Sequence, residues 1–267
     1  MQMQYEGCVS NKYTGIQRLE TTVKYIGRFG VTCPIFIGWL YGMRRPLALE
    51  HLNKLTKLGL VSCVQTHRSP DGRAYVLTHS GTKYAEDLLG QQLYFRSQGN
   101  PEFLINQNTL MHDLICQYIM ARGIQNKNSD GSPATLWSGF VTEREFKRIY
   151  TDNGVRNVDG LVIEPDGMVS AIEIEHSFKN KIARASILQK YAQGLNQGTY
   201  QKIFLFSQDQ RIFDDIKRLH EQLFTELPNR YDKKTKKPML SEADVEKLQT
   251  AVIYRTKFCD EIKALFY

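Results

Sequence analysis

The sequence predicts an α+β protein in which a domain of helices and one hairpin precedes a domain with a mixed sheet. Three observations lead to this prediction. Across residues 18–58, apolar side chains recur every three to four positions, which is the spacing of helices that bury one face. Across residues 60–78, two alternating stretches flank the turn signal Ser69-Pro70-Asp71-Gly72. From residue 154 onward, strand patterns alternate with helix patterns, as in an α/β layer.

The charge of the chain favours a polyanionic partner. The 267 residues carry a formal net charge of +7, and the sequence pI is about 9.1. Residues 1–95 hold eleven lysines and arginines against six acidic residues, so most of the surplus lies in the first third of the chain.

Cysteine and histidine spacing excludes the common zinc sites. The five cysteines form no CxxC pair, and the six histidines form no HxH or HExxH motif. No apolar run is long enough to cross a bilayer, and the N-terminus lacks the pattern of a signal peptide. We therefore expect a soluble, cytoplasmic protein without a membrane segment.

The elements of the first domain follow one another in a recognisable order. A first helix is predicted over residues 18–28, a second from Pro34 to a stop at Gly42, and a third from Pro46 to a stop at Gly59. The hairpin follows, and then a helix over residues 79–88. This order resembles winged-helix DNA-binding domains, including the "KLTKLGLV" exit from the third helix and the "YVLT" return strand.

The resemblance implies which side chains meet DNA. In winged-helix domains the third helix enters the major groove, while the hairpin, or wing, meets phosphate or the minor groove. The predicted DNA-contacting residues on and before the third helix are Arg44, Arg45, His51, Lys54 and Lys57, and those at the wing are Arg68 and Arg73. The alternative is a protein-binding winged helix with a solvated basic face.

A polar stretch broken by Gly and Pro, residues 96–101, predicts a linker, and thus domains at 1–95 and 96–267. Beyond it we expect a helix over 109–122, a polar loop over 126–132, strands over 154–163, 168–175, 202–207 and 251–255, helices over 180–194 and 211–227, and a basic loop over 232–238. Together these elements predict an α/β domain with a mixed sheet.

Carboxylates end two of these strands. Because side chains alternate along a strand, Ile172 and Ile174 share one face and Glu173 and Glu175 share the other. A two-residue turn after the first strand would place Asp159 opposite Ile172. A three-residue loop, residues 165–167, with a left-handed glycine at its third position would place Asp159 opposite Glu173, and the glycine in the sequence favours this register.

A cluster of carboxylates of this kind is typical of a site that binds a divalent cation. The carboxylates of Asp159, Glu173 and Glu175 would repel one another unless a cation neutralised them, and oxygen ligands suit Mg²⁺ or Mn²⁺. Such an ion activates water and stabilises the charge of a phosphodiester under attack. Lys179, just beyond the strand, is placed to orient the water or to neutralise developing charge.

Asp159, Glu173-Ile174-Glu175 and Lys179 resemble the PD-(D/E)XK signature of restriction-endonuclease-like nucleases. Glu175 stands where many members have lysine, and Lys179 is the expected substitute for that cation. A winged helix followed by these residues and by the "LQKYAQGL" helix is similar to the replication-relaxation family and its MobC-type plasmid relaxases. That resemblance implies a metal-dependent nickase that cuts one strand at a plasmid transfer origin, together with other relaxosome or coupling proteins.

Two functions from different classes therefore remain open. The first is the nickase, and the second is a non-catalytic DNA-binding protein, such as a replication initiator, repressor or relaxosome accessory factor with an inactive nuclease fold. His176, Glu143 and Glu145 are weaker candidates for the catalytic site, and a structural role is the expected one. The lysines of residues 233–237 are expected to be a solvated loop.

Overall fold

The computed structural model describes residues 3–7, 10–93, 100–125, 134–231 and 236–267. Within these residues the chain has an α+β fold with ten α-helices. It divides into two compact units, Met1–Arg144 with Leu265–Tyr267, and Glu145–Ala264. The predicted loop at 126–132, most of the predicted linker and part of the basic loop at 232–238 lie outside the described residues. No helix in the described ranges combines the length and apolar character needed to span a membrane.

The first unit begins with three helices, a hairpin and a further helix, as predicted. The elements are α1 (Asn11–Phe29), α2 (Pro34–Tyr41), α3 (Arg45–Lys57), β1 (Val61–Gln65), β2 (Arg73–Leu77) and α4 (His79–Leu89). α1 starts seven residues earlier than the apolar stripe indicates, because its first turns are largely exposed. α2 ends at Gly42, as predicted, and β1 and β2 pair antiparallel from Val61↔Leu77 to Gln65↔Arg73.

The tip of the hairpin folds back onto the helices. Asp71 is buried, and its carboxylate accepts a hydrogen bond from the backbone N–H of Ile35 at 2.8 Å, in the first turn of α2. The same carboxylate accepts from Nε of Arg45 at 2.6 Å, in the first turn of α3. A carboxylate at a helix N-terminus is stabilised by the unpaired amides there. The hairpin is therefore tied to the starts of both α2 and α3.

The first compact unit extends well beyond residue 95, where the sequence predicts a domain boundary. α5 (Leu110–Ile124) belongs to it, because Gln117 accepts a hydrogen bond from Thr32 at 3.0 Å and donates one to the Val31 carbonyl at 2.9 Å. The rings of Trp39 and Tyr118 lie 4.8 Å apart. β3 (Gly139–Thr142) also falls in this unit, and the division lies within α6 (Glu143–Ile149).

The second unit is built on a mixed sheet. Its elements are β4 (Gly160–Ile163), β5 (Val169–Ile174), α7 (Lys181–Asn196), β6 (Lys202–Phe206), α8 (Gln210–Glu226), α9 (Glu242–Ala251), β7 (Val252–Tyr254) and α10 (Cys259–Phe266) up to Ala264. The four strands lie in chain order; β4 pairs antiparallel with β5, and β5, β6 and β7 are parallel. α9 and α10 are absent from the elements predicted above.

The β4–β5 hairpin has the register that the left-handed glycine favoured. Gly160 pairs with Ile172, and Ile163 pairs with Val169. The connection is the three-residue loop 165–167, closed by Glu164 N–H donating to the Met168 carbonyl at 2.8 Å. Gly167 has φ of 86°, a conformation that costs a side-chain-bearing residue free energy.

The predicted strand over residues 154–163 is wrong in its first half. The chain from 151 to 159 is irregular, and β4 begins only at Gly160. Val155 and Val158 are both buried although they are three positions apart, a spacing at which a strand would place them on opposite faces. The irregular backbone before the strand buries both valines.

Replacing Gly167 by alanine should lower the free energy of unfolding by about 1 kcal/mol, because alanine is strained at positive φ. No atom lies near the added methyl group, so backbone strain is the only cost. Gly15→Ala, in the exposed first part of α1, is the matched control and should stabilise by about 0.5–1 kcal/mol. Chemical denaturation measures both. An equal effect at the two positions would contradict the turn that fixes the register.

Candidate functional site

The outward side of α3 carries an exposed basic face. Arg44, the N-cap residue of α3, and Lys54 and Lys57 in its last turns are exposed, and we call these three residues the basic face of α3. Arg68, in the turn between β1 and β2, is exposed as well. None of these four cations has an ion-pair partner among the described residues, so their charges are available to an external anion.

The other three predicted DNA-contacting residues are bonded or half-buried within the unit. Arg45 pairs with the buried Asp71, and Arg73 is half-buried on β2. Nε2 of His51 lies 2.9 Å from the hydroxyl of Thr22, which also lies 2.8 Å from the hydroxyl of Tyr41. Burial, with the positive charges of Arg18 and Lys54, lowers the pKa of His51 to about 4. His51 is thus a neutral, inward-bonded histidine at physiological pH.

In the second unit, the ends of β4 and β5 gather three buried carboxylates, Asp159, Glu173 and Glu175, which we call the acidic cluster. Glu173 is opposite Leu205 of β6, and Glu175 continues the ladder by donating its N–H to the Phe206 carbonyl at 2.8 Å. Both glutamates are at most 1% exposed. The prediction that they share a strand face is consistent with this pairing, but the face is covered rather than open to solvent.

Asp159 is fixed by a bulge at the start of β4. Gly160 is paired with Ile172, and the N–H of Asp159 also donates to the Ile172 carbonyl at 3.0 Å, so that two residues oppose one. The carboxylate of Asp159 in turn accepts from the N–H of Ile174 at 2.7 Å. The bulge therefore anchors the Asp159 carboxylate to the backbone of β5, between the two glutamates.

A guanidinium neutralises Glu173. Nε and one terminal nitrogen of Arg156 donate to the two carboxylate oxygens of Glu173, at 2.8 and 3.2 Å. This bidentate geometry is the strongest form of the arginine–carboxylate pair. Arg156 lies in the irregular segment before β4, and its side chain is 29% exposed, whereas the Glu173 side chain is almost fully buried.

Two cations neutralise Glu175. A terminal nitrogen of Arg184 donates to one carboxylate oxygen at 2.8 Å, and the ammonium of Lys179 bonds to the other. Arg184 and Glu175 are both fully buried. Because Arg184 lies on α7, this ion pair also fixes α7 over the face of β5 that carries the glutamates.

Donor groups without partners surround the cluster. Nε and the second terminal nitrogen of Arg184 are buried and have no hydrogen-bond partner among the described residues, and the same is true of the hydroxyls of Tyr191 and Tyr200. Burial, and then the charges of Glu173 and Glu175, hold the pKa of Tyr191 well above its ordinary value. These four groups place unpaired hydrogen-bond donors beside the two glutamates.

The surroundings of Glu173 raise its pKa. Burial raises the pKa of Glu173 to about 7, the charges of Asp159 and Glu175 add to the rise, and Arg156 opposes it. A carboxyl group that titrates near neutrality fits a catalytic or ion-binding role, and structural ion-pair networks also shift pKa values. The shift therefore marks the cluster as a candidate site without assigning its chemistry.

The arginines and tyrosines around the cluster were not among the residues predicted from the sequence. Arg184 has a recognisable signal, because residues 184, 187, 188 and 191 have the spacing of a buried helix stripe, which places an arginine on the inward face. Arg156 has no such signal, because the irregular segment has no period. Among the described residues, the three carboxylates do not place one oxygen each within 4.8 Å of one another.

No family model matches the sequence, and comparison with curated proteins and with solved structures finds no similar protein. The resemblance to winged-helix domains and to the replication-relaxation family accordingly rests on the residues quoted above.

Replacing Arg184 by methionine should destabilise the second unit by about 3–5 kcal/mol, because it leaves the buried Glu175 with Lys179 alone. Arg218→Met is the matched control: Arg218 is 58% exposed and pairs with Asp215 on the surface, so its loss should cost at most about 1 kcal/mol. Urea denaturation followed by circular dichroism measures both. Equal costs would show that the Arg184–Glu175 pair does not hold α7 in place.

Proposed function

We propose that this protein binds double-stranded DNA through its first unit and nicks one strand at the acidic cluster with a divalent metal ion. The placement of Asp159, Glu173 and Glu175 at two neighbouring strand ends is the observation that carries the nicking proposal. The resemblance to MobC-type relaxases supplies the biological setting, nicking at a plasmid transfer origin within a relaxosome.

The basic face of α3 supports the DNA-binding part. Its three cations and Arg68 are exposed and unpaired, as phosphate-binding side chains must be. The order of helices and hairpin is the one in which the third helix enters the major groove. Arg45, Arg73 and His51 have mainly structural roles in this proposal, because their side chains are already bonded or half-buried.

Mg²⁺ and Mn²⁺ prefer carboxylate oxygens as ligands, but the three carboxylates of the acidic cluster do not place one oxygen each within 4.8 Å of one another. A bound ion would supply an activated water and stabilise charge on the phosphate. Asp159, Glu173 and Glu175 would hold it, and Lys179, bonded to Glu175, is placed to neutralise charge beside them. Every carboxylate oxygen of Glu173 and Glu175 is already bonded to a cationic nitrogen. Ion binding therefore requires at least one of these bonds to break.

The polar interior of the second unit is a second observation that supports the proposed site. A cluster kept only for packing would gain stability from apolar replacements, because buried ion pairs seldom repay their desolvation cost. The second unit instead retains two buried glutamates, a fully buried arginine and several unpaired donors. Such departures from stable packing are expected at functional sites.

A second candidate function is a DNA-binding protein without catalysis. One observation favours it: the chain neutralises both glutamates with its own arginines and lysine, so the cluster is complete without an ion. In that case the second unit would be a scaffold that presents the first unit or other surfaces to partners.

Asp159→Asn should abolish nicking while leaving DNA binding unchanged. Asparagine keeps an acceptor for the Ile174 N–H but removes the negative charge, so nicking should fall by about 100-fold or more. The assay uses a supercoiled plasmid that carries a duplex enriched from a random library by the protein itself, with Mn²⁺. Asp166→Asn, at the exposed β4–β5 turn, is the control. Equal nicking by the two variants would exclude Asp159 from the reaction, and absence of nicking by the unchanged protein would leave the non-catalytic function.

The double variant Lys54→Ala/Lys57→Ala should weaken DNA binding uniformly across sequences. For each lysine that binds a phosphate, its removal should reduce the slope of log K against log salt by about 1. Fluorescence anisotropy with a labelled duplex over a salt series measures the slope. Lys83→Ala, which removes an exposed charge from α4, is the control. An unchanged slope in the double variant would exclude the basic face of α3 from the DNA interface.

A further inference from the structure

Two side chains on the outward side of α3 are not cations. Leu47 is 50% exposed and Glu50 is exposed as well, whereas Ala48, Leu52 and Leu55 of the same helix are fully buried. A surface that only has to bind phosphate gains nothing from an uncharged leucine, and it is weakened by a carboxylate, which the phosphates repel. Phosphate binding by the basic face of α3 therefore does not account for these two residues.

Leu47 and Glu50 lie in the same row as the cations. Leu47, Glu50, Lys54 and Lys57 follow one another at intervals of three, four and three positions, which is the spacing of one helix face. Arg44 precedes the row at the N-cap of α3. The two residues are therefore in the middle of the outward side, with one cation before them and two cations after them.

The dimensions of the major groove give the ends and the middle of this row different partners. A helix of 13 residues is about 20 Å long, whereas the major groove of B-DNA is about 12 Å wide. Cations near the two ends of α3 can therefore reach the phosphates at the edges of the groove, while the residues between them face the bases. Phosphate contacts hold a protein in place, and contacts with base edges select the sequence.

We propose that Glu50 and Leu47 select the DNA sequence, Glu50 by accepting a hydrogen bond from the amino group of a cytosine and Leu47 by contacting the methyl group of a thymine. This inference rests on the proposed binding of DNA through α3 and is independent of the nicking reaction. Three positions correspond to about 4.5 Å along the helix axis, and successive base pairs are about 3.4 Å apart. The cytosine and the thymine therefore belong to neighbouring base pairs.

The chemistry of a carboxylate limits what Glu50 can bind in the groove. An ionised carboxylate only accepts hydrogen bonds. The amino donors in the major groove are N4 of cytosine and N6 of adenine, and adenine places the acceptor N7 beside its amino group, where it repels a carboxylate. In the described part of the chain Glu50 has no hydrogen-bond or ion-pair partner to give up. Cytosine is therefore the base that Glu50 fits best.

Leu47 requires an apolar partner. Its side chain has no group that donates or accepts a hydrogen bond, and the apolar group that a base presents in the major groove is the C5-methyl of thymine. Contact with this methyl group removes the exposed part of Leu47 from water and leaves no polar base atom unpaired. A leucine that is half exposed on the outward side of α3 thus favours a thymine.

The test uses a duplex that the unchanged protein enriches from a random library, with binding measured by fluorescence anisotropy in the absence of metal ions. Each cytosine of the site is replaced in turn. Loss of the contacted cytosine should weaken binding by the unchanged protein at least about fivefold and should have little effect on Glu50→Ala. Equal losses in the two proteins at every cytosine would overturn the role of Glu50.

Replacing each thymine by uracil removes a methyl group and nothing else. At the contacted position this change should weaken binding by the unchanged protein about fourfold, the effect of one buried methyl group, and should leave binding by Leu47→Ala unaltered. Equal losses in the two proteins at every thymine would overturn the role of Leu47. Because the change is made in the DNA, this comparison does not depend on the stability of a variant.

A control variant separates base selection from a general effect of charge. Glu50→Ala should bind a duplex of scrambled sequence more tightly, because a carboxylate that repels phosphate is gone. Asp87→Ala, which removes an exposed carboxylate from α4, should keep the base preferences and the affinity for the scrambled duplex. Enrichment of no preferred sequence would overturn the inference and leave DNA binding standing. Absence of duplex binding by the unchanged protein would instead overturn the proposed function itself.

Discussion

Two glutamates on one strand point into the interior of the second unit, and their charge must be neutralised there. Moving an ionised carboxylate out of water costs several kcal/mol, even after the surroundings relax. Glu173 and Glu175 meet this cost with Arg156, Arg184 and Lys179. The pairing of Arg184 places α7 on the sheet, and that of Arg156 fixes the segment before β4. Much of the local architecture thus follows from one electrostatic requirement.

The first unit also contains a buried carboxylate that is neutralised by an arginine, and there the pair joins the hairpin to the helices. Asp71 is buried at the tip of the hairpin and is neutralised by Arg45 and by an amide of α2, which ties the hairpin to the helices. Around α3, Arg45 therefore helps to hold the fold together, whereas the other basic side chains remain available to an external anion. Arg44, Lys54 and Lys57 stay exposed and unpaired, and the DNA-binding proposal depends on them.

Local sequence patterns predicted those parts of the fold that are determined within a short segment of the chain. The helix–helix–helix–hairpin–helix order follows from periodicity, and the β4–β5 register follows from the left-handed Gly167. The boundary at residue 95 is not where the compact units divide, because α5 packs through Gln117 onto the backbone of residue 31, a contact that no local pattern contains. Arg156 was missed for the same reason: its partner is seventeen residues away and its own segment is aperiodic.

A crystal of the protein soaked in Mn²⁺ tests the central claim most directly, because the anomalous signal of the ion locates it independently of activity. The account predicts an anomalous peak within about 2.0–2.4 Å of carboxylate oxygens of Asp159 and Glu173. A map without a peak there would contradict it and leave a protein that binds DNA without cutting it.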